Sequence, residues 1–187
     1  MTKEQRYKGA KVFFVPYVPL SLCHKVFRAG MVFTSKELNH FLRQHQIEAE
    51  IVFLTQETRT VAEAAAVLGA VPEQIIKSIL FWADGAPVLV INNGLARIAW
   101  KQLADYLGVS RRRLKTADAG EVFEITGYPV GAVPPFGHKT TLRTIVASDV
   151  DDQQIVYGGG GELHALLKLT TSELRRVVGM ETAVISE

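Results

Sequence analysis

One stretch near the middle of the chain, GYPVGAVPPFGH at residues 127–138, restricts the fold more than any other. Its three glycines and three prolines exclude a helix or a central strand, because proline lacks an amide donor and glycine loses much conformational entropy when it is ordered. The stretch also carries Tyr128, Val130, Val133 and Phe136, so it is too apolar for a flexible linker. The sequence therefore predicts a stiff, apolar loop.

Two interpretations of this loop remain open from the residues alone. Its glycines let a backbone approach a ligand closely, so the loop can form a cradle for a ribose or a carbonyl oxygen. Alternatively, it is a compact Ω-loop held together by its own valine and phenylalanine side chains.

The composition predicts a single domain, or one domain with an appendage. The chain has 187 residues, of which 48% are hydrophobic and 21% are charged, and this is enough apolar material for a sizeable core. The formal net charge of +2 neither requires nor excludes a nucleic-acid partner. A lone cysteine, Cys23, excludes an intramolecular disulfide bond and a cysteine-based metal site, which is typical of a reducing cytoplasm.

Residues 1–33 are interpreted as an N-terminal extension of unclear role. Residues 12–23, VFFVPYVPLSLC, loosely resemble the core of a signal peptide, but Pro16 and Pro19 interrupt them and no cleavage site of small residues follows. The run is also too short to cross a bilayer. We therefore expect a cytoplasmic protein that does not enter a membrane, with Met31 as an alternative start.

Residues 34–187 show short helical and short extended patterns in irregular order. Capping residues and glycine stops predict helices that begin near Thr34 and Thr60, and others at residues 99–107, 117–125 and 172–178. Apolar runs predict strands at residues 51–54, 77–83, 87–92, 143–148, 154–157 and 164–169. This order predicts an α+β domain with a mixed, largely antiparallel sheet that includes a hairpin turned at Asp84-Gly85.

Lys77 is the first candidate for chemistry. It lies in QIIKSILFW, where apolar residues occupy both faces of the expected strand. A lysine in such a run is costly unless its ammonium reaches water, a carboxylate or an anionic ligand. A binding role and a side chain that only extends to solvent from the start of the strand fit the pattern equally well.

The second candidate is the segment GGGGELH, which ends at His164. Its four consecutive glycines, residues 158–161, allow another backbone or a ligand to come close. No lysine, serine or threonine follows at the spacing of a P-loop, so the pattern favours a hairpin turn between two strands.

Other kinds of chemistry find no support in the sequence. His40 and His45 are five residues apart on a predicted helix and no HExxH motif occurs, so we expect no metal site. No serine lies in a G-x-S-x-G context, which is the signature of many serine hydrolases. The basic run RRRLK at residues 111–115 is either solvated surface or a contact for phosphates.

Taken in order, these motifs resemble the YbaK family of aminoacyl-tRNA editing domains, which also occurs within or beside prolyl-tRNA synthetases. The resemblance covers about residues 33–178 and is carried by QIIKSILF, VLVINNG, EVFEITGYPVGAVPPFGH and YGGGGELHALLKLTTSEL. It implies a compact domain around a curved, barrel-like mixed sheet with surrounding helices. No cofactor is expected.

The resemblance also implies roles for individual residues. Lys77 matches the essential lysine of the family and is the predicted catalytic residue, expected to hold the terminal phosphate or ribose of the substrate. Gly131 matches the loop glycine that faces the aminoacyl group, and Ala132 replaces a second glycine and narrows the site. His164 lies near a position where some relatives place a histidine. The predicted substrate-binding residues are Gly127, Tyr128, Gly131, Ala132, Pro134, Gly159, Gly160 and His164.

The implied function is hydrolysis of the ester that joins a wrong amino acid to the 3′ end of a tRNA, with cysteine or alanine on a proline tRNA as the expected substrates. Prolyl-tRNA synthetase is an expected second partner. Loop amides would stabilise the oxyanion, and water, a ribose hydroxyl or a substrate thiol would attack, so no protein nucleophile is needed. Two alternatives stay open: a non-catalytic module that binds tRNA or a synthetase, and a hydrolase of small esters unrelated to tRNA.

Overall fold

The computed structural model describes residues 32–55, 58 and 60–187. The helices are α1 (Ser35–Gln44), α2 (Val61–Leu68), α3 (Trp100–Leu107), α4 (Ala119–Thr126) and α5 (Thr171–Val178). The strands are β1 (Ala49–Phe53), β2 (Ile76–Ala83), β3 (Ala86–Asn93), β4 (Leu114–Thr116), β5 (Arg143–Ala147), β6 (Ile155–Gly159), β7 (Ala165–Thr170) and β8 (Thr182–Ala183). The interpretations of Cys23, Met31 and residues 12–23 fall outside the described residues.

The helices begin and end where side-chain chemistry dictates. Thr34 and Thr60 each cap a helix in a reciprocal capping box, so that α1 and α2 start as the sequence predicted. Gly69, Gly108 and Gly127 end α2, α3 and α4 in the left-handed conformation, which glycine adopts without steric cost. None of the helices in the described ranges is long and apolar enough to cross a membrane.

The strands form two open sheets. The five-stranded sheet has the order β4-β2-β3-β5-β8, and the three-stranded sheet has the order β1-β7-β6. The pairings β3–β5 and β5–β8 are parallel and the other four among the described strands are antiparallel. This confirms the predicted α+β class with a mixed, largely antiparallel arrangement, although the sheets do not close into a barrel. A bridge between Ile75 and Tyr157 joins them at one edge.

The hairpin of β2 and β3 is the centre of the fold. Asp84 and Gly85 both have positive φ, as a two-residue hairpin turn requires, and Ile76 to Ala83 pair residue by residue with Asn93 to Ala86. From Val88 onward, every residue of β3 is buried. The hairpin therefore supplies the framework against which the loop and the second sheet pack.

The sequence predicted some boundaries wrongly. Gly158 and Gly159 belong to β6 and are not part of the turn, and β7 begins at Ala165, so His164 lies before the strand. The short strands β4 and β8, three and two residues long, were not predicted. Each is too short to show an alternating pattern of its own.

The glycine-rich segment, residues 158–161, packs closely against the loop of residues 127–138. A side-chain carbon at Gly159 would lie 2.7 Å from the carbonyl carbon and oxygen of Ala132 and closer still to the carbonyl oxygen of Val133. The Gly161 amide donates a hydrogen bond of 3.0 Å to the Ala132 carbonyl. The group that lies close to Gly159 and Gly161 is therefore the backbone of the loop.

Two ring side chains fix the two ends of the loop. The Tyr128 ring is fully buried and its hydroxyl donates to the Gly137 carbonyl at 3.1 Å. Burial raises the pKa of Tyr128, and the nearby Glu37 carboxylate adds to this, so the phenol remains a donor. His138 contacts the Pro134 carbonyl through Nε2 at 2.8 Å, and Nε2 must donate because a carbonyl only accepts.

Replacing Gly159 by alanine should destabilise the protein, because the added methyl group collides with backbone atoms of the loop that cannot rotate away. We expect a loss of about 1–3 kcal/mol in the free energy of unfolding, the usual cost of overpacking. Urea denaturation followed by circular dichroism measures it. Gly120→Ala in α4 is the control: Gly120 has an ordinary helical φ, and an added carbon there would meet only a side-chain oxygen of Asp118, at 3.3 Å, so we expect a much smaller change than at Gly159. Equal stability of the two variants would contradict the contact.

Acid should weaken the fold through His138. Burial lowers the pKa of His138 from 6.5 to about 4, against the opposing effect of its hydrogen bond to Pro134. The unfolded chain therefore binds the extra proton first, and this stability is complete above pH 6.5 and is lost as the pH falls towards 4.

We expect the urea midpoint of the wild-type protein to fall between about pH 7 and about pH 5. His138→Gln retains an N–H donor but does not titrate, so its midpoint should fall less over the same interval. A variant with the same pH dependence as the wild type would show that His138 is not the group responsible.

Candidate functional site

A cavity of about 570 Å³ lies where the two sheets, α2 and the loop meet. This volume is within the range of about 300–1,000 Å³ that is usual for small-molecule sites. The lining residues lie at position 58 and within residues 60–64, 75–80, 116–122, 130–133 and 159–166. Most of the lining side chains are aliphatic, so polar groups at this site are few.

Lys77, the second residue of β2, is one of the lining residues. Its side chain lines the cavity and is exposed, between the buried Ile76 and the half-buried Ser78. The ammonium makes no ion pair with any residue that the structure describes. A hydrated cation without a carboxylate partner at a cavity wall is available to an anionic ligand.

The loop contributes Val130, Gly131 and Val133 to the cavity lining. Gly131 has φ +91°, a conformation that other residues adopt only with strain, and its amide makes no hydrogen bond with the described residues. A side-chain carbon at this position would lie 3.2 Å from Cδ2 of Leu163. The absence of a side chain at Gly131 therefore keeps the space between the loop and Leu163 open and leaves one donor free.

The structure brings together some of the residues that the sequence selected. Lys77, Gly131 and Gly159 line the cavity, whereas Ala132 and Pro134 are buried and do not line it. The replacement of a glycine by Ala132 therefore adds no side chain to the lining.

The other selected residues do not line the cavity. Side chains at Gly127 and Gly160 would meet Phe33 at 2.8 Å and the Ala165 backbone at 2.6 Å, so both glycines permit close packing. Tyr128 is in the core. His164 is half-exposed between Leu163 and Ala165, which do line the cavity.

Sequence reasoning missed several polar lining residues. Ser78, Thr58, Thr60 and Thr116 all line the cavity. The Ser78 hydroxyl oxygen is buried and has no hydrogen-bond partner among the described residues. The sequence did contain a signal for Ser78: it follows Lys77 within an apolar run, and a polar side chain there is expected to have a hydrogen-bond partner or a functional role.

The acidic and histidine side chains form no metal site within residues 32–55, 58 and 60–187: no group of three or more histidine, cysteine, aspartate or glutamate residues could hold an ion there. The donors at the cavity are an ammonium group, hydroxyls and backbone amides. Such a set binds phosphate, ribose and carbonyl groups by hydrogen bonds and charge.

Comparison with known proteins gives a consistent result. The family model of the aminoacyl-tRNA editing domain matches residues 55–177. The chain is 26% identical over 125 residues to a proline–tRNA ligase of Thermoanaerobacter sp. (strain X514), covering 67% of this chain. It spans only 22% of the length of that ligase. It is 29% identical to YwhH, an uncharacterized protein of Bacillus subtilis (strain 168), over 72% of this chain and 84% of that protein.

Solved structures agree with the sequence comparison. The structure of a candidate trans-editing enzyme for prolyl tRNA synthetase superposes with a TM-score of 0.77 and 30% sequence identity. The match covers 82% of this chain and 96% of the other. The similarity therefore extends over most of this chain and nearly all of the other.

Proposed function

The chain belongs to the family of aminoacyl-tRNA editing domains, and we propose that it is a deacylase that removes a wrong amino acid from a tRNA. The observation that carries the proposal is the cavity lined by Lys77 and the loop. Its lining includes a cation and a Gly131 amide that have no partner among the described residues, and its surface is mostly aliphatic. The substrates are alanyl or cysteinyl esters of proline tRNA. This choice is supported by the similarity to proline–tRNA ligases and to a candidate trans-editing enzyme for prolyl tRNA synthetase.

The reaction is the hydrolysis of the ester at the 3′ end of the tRNA. A water oxygen attacks the ester carbonyl, and the carbonyl oxygen becomes an oxyanion that accepts a hydrogen bond from the Gly131 amide. The bond to the ribose oxygen then breaks, and this oxygen takes up the proton that the attacking water gives up, so that the free amino acid and the 3′ hydroxyl of the tRNA are released. A preorganised backbone donor at such an oxyanion is worth about 10²–10³ in rate.

Lys77 holds the nucleotide end of the substrate. Its ammonium donates to a phosphate or ribose oxygen while the ester lies against the loop. Because the side chain is exposed, the ammonium is hydrated in the empty site and carries no desolvation cost until the ligand binds. The contact positions the ester relative to Gly131, and positioning of this kind is a large part of catalysis when no protein nucleophile takes part.

The aliphatic lining of the cavity selects amino acids by the size of their side chains. Val61, Ala64, Ile79 and Val133 contribute aliphatic surface to the lining, and Lys77 is the only charged residue among the lining residues that the structure describes. An apolar cavity discriminates by about 1–3 kcal/mol for each methylene that does not fit. Small side chains such as those of alanine and cysteine are accepted on this basis, and larger ones are rejected.

The basic run at 111–115 provides a surface for the tRNA backbone. It directly precedes Thr116, which lines the cavity. Arg111 stacks on Trp100 at 4.0 Å and Arg113 pairs with Asp84 at 2.7 Å. Arg112 and Lys115 are exposed and form no ion pair with described residues, so these two charges remain available for phosphates.

Lys77→Ala should lower kcat/KM for deacylation by about 10- to 100-fold, which corresponds to the loss of one charge-assisted hydrogen bond. The measurement is the release of amino acid from a panel of mischarged tRNAs, with urea denaturation to show that the variant folds. Lys36→Ala is the matched control, since Lys36 is exposed on α1, which contributes nothing to the cavity lining.

Three results would count against this proposal. An unimpaired Lys77→Ala variant would remove the role of the lysine. A wild-type protein that binds tRNA but cleaves no member of the panel would favour the non-catalytic binding module. Equal kcat/KM for an aminoacyl-nucleoside and for the whole aminoacyl-tRNA would favour the hydrolase of small esters.

The double variant Arg112→Glu/Lys115→Glu should bind tRNA more weakly and with less dependence on salt. We expect the slope of log K against log salt concentration to decrease in magnitude by about 2, one for each phosphate that the variant no longer neutralises. Filter binding at several salt concentrations measures the slope. Arg43→Glu on α1 serves as the control, and an unchanged slope in the double variant would place the tRNA elsewhere.

A further inference from the structure

Two exposed rings stand next to the cavity. Phe53, the last residue of β1, is 58% exposed, and the His164 side chain is 48% exposed. Their ring centroids are 5.8 Å apart and their planes are inclined by 39°. The two rings contact each other, yet both present a large part of their surface to solvent.

The backbone holds this pair beside the lining residues. Phe53 is the register partner of Ala165, and residues opposite each other in an antiparallel pair project to the same face of the sheet. Ala165 lines the cavity, as does Leu163 on the other side of His164. The Leu54 amide donates to the His164 carbonyl at 2.7 Å, which fixes the two segments together. The rings do not line the cavity themselves but lie next to Leu163 and Ala165, which do.

The local charge indicates what kind of group can bind here. Glu162 places its carboxylate 3.8 Å from Nε2 of His164, and the same carboxylate accepts a hydrogen bond of 3.0 Å from the Ser35 hydroxyl. A carboxylate at this position repels a phosphate. It does not repel the neutral face of a nucleobase, which is stabilised by stacking on an aromatic side chain.

We propose that Phe53 and His164 form a stacking platform for the penultimate base of the single-stranded 3′ end of a tRNA. The inference rests on the proposed function, because the aminoacylated terminal nucleotide is taken to occupy the cavity. Unstacked bases at RNA ends are commonly bound on aromatic and histidine rings in this way. Such a platform would give the protein a contact with a polynucleotide that a simple aminoacyl ester cannot make.

The direct test is stacking in the absence of hydrolysis. A short, non-acylated RNA that ends in CCA carries 2-aminopurine in place of the penultimate base, and its fluorescence is quenched when the base stacks. We expect the wild-type protein to quench it and Phe53→Leu, which retains apolar volume but has no ring, to lose most of the quenching. Phe53→Trp should restore it. Equal quenching by the leucine variant and the wild type would overturn the platform.

A kinetic test gives an independent result. The ratio of kcat/KM for an alanyl-CCA trinucleotide to that for alanyl-adenosine should fall by about 5- to 100-fold in Phe53→Leu, mainly through KM, as expected when one base no longer stacks. Tyr106→Leu, an exposed ring on α3 away from the cavity, is the control. An unchanged ratio in Phe53→Leu would contradict the inference. Quenching that depends on Phe53 in a protein without deacylase activity would support the platform and reject the proposed function.

Discussion

The site depends on the contact of two backbones that leaves no room for a side chain between them. Gly159 of β6 lies against the carbonyl groups of Ala132 and Val133, and the Gly161 amide donates to Ala132. Close packing of this kind transmits small displacements, because the interior of a protein has few voids to absorb them. The position of the loop wall, and with it the position of the free Gly131 amide, is therefore determined by the second sheet.

Lys77 shows why a single pattern in the sequence can support two interpretations. A lysine that extends to solvent and a lysine that binds a ligand were both compatible with QIIKSILFW, and the structure satisfies the physical condition of each. The side chain is exposed, so the ammonium is hydrated, and it also lines the cavity without a carboxylate partner among the described residues. Hydration keeps the cost of the unoccupied site low, while the position of the side chain makes the charge available to a substrate.

Local signals predicted the fold well where the cause of the structure is local. The capping threonines Thr34 and Thr60 and the turn at Asp84-Gly85 act on their immediate neighbours, so the sequence contains the whole reason for them. The continuation of β6 through Gly158 and Gly159 depends on residues far away in the sequence. These glycines pack against Ala132, Val133 and Pro135 of the loop, which precede them by more than twenty residues. The position of the exposed Phe53 ring could likewise not be predicted from the sequence, since it depends on the register with β7, which pairs Phe53 with the lining residue Ala165.

Charge is distributed unevenly among the residues near the cavity. Lys77 lines the cavity, and Arg112 and Lys115 lie shortly before the lining residue Thr116, so these three cations are available to phosphates. Glu162 precedes Leu163, another lining residue, and its carboxylate beside the His164 ring repels phosphates. Under the proposed function, the phosphates of a bound strand would therefore lie near the cations and a base near the rings. Because the proposed hydrolysis uses no protein nucleophile, its rate would depend on how firmly the loop backbone is held, which returns the chemistry to the glycines of β6.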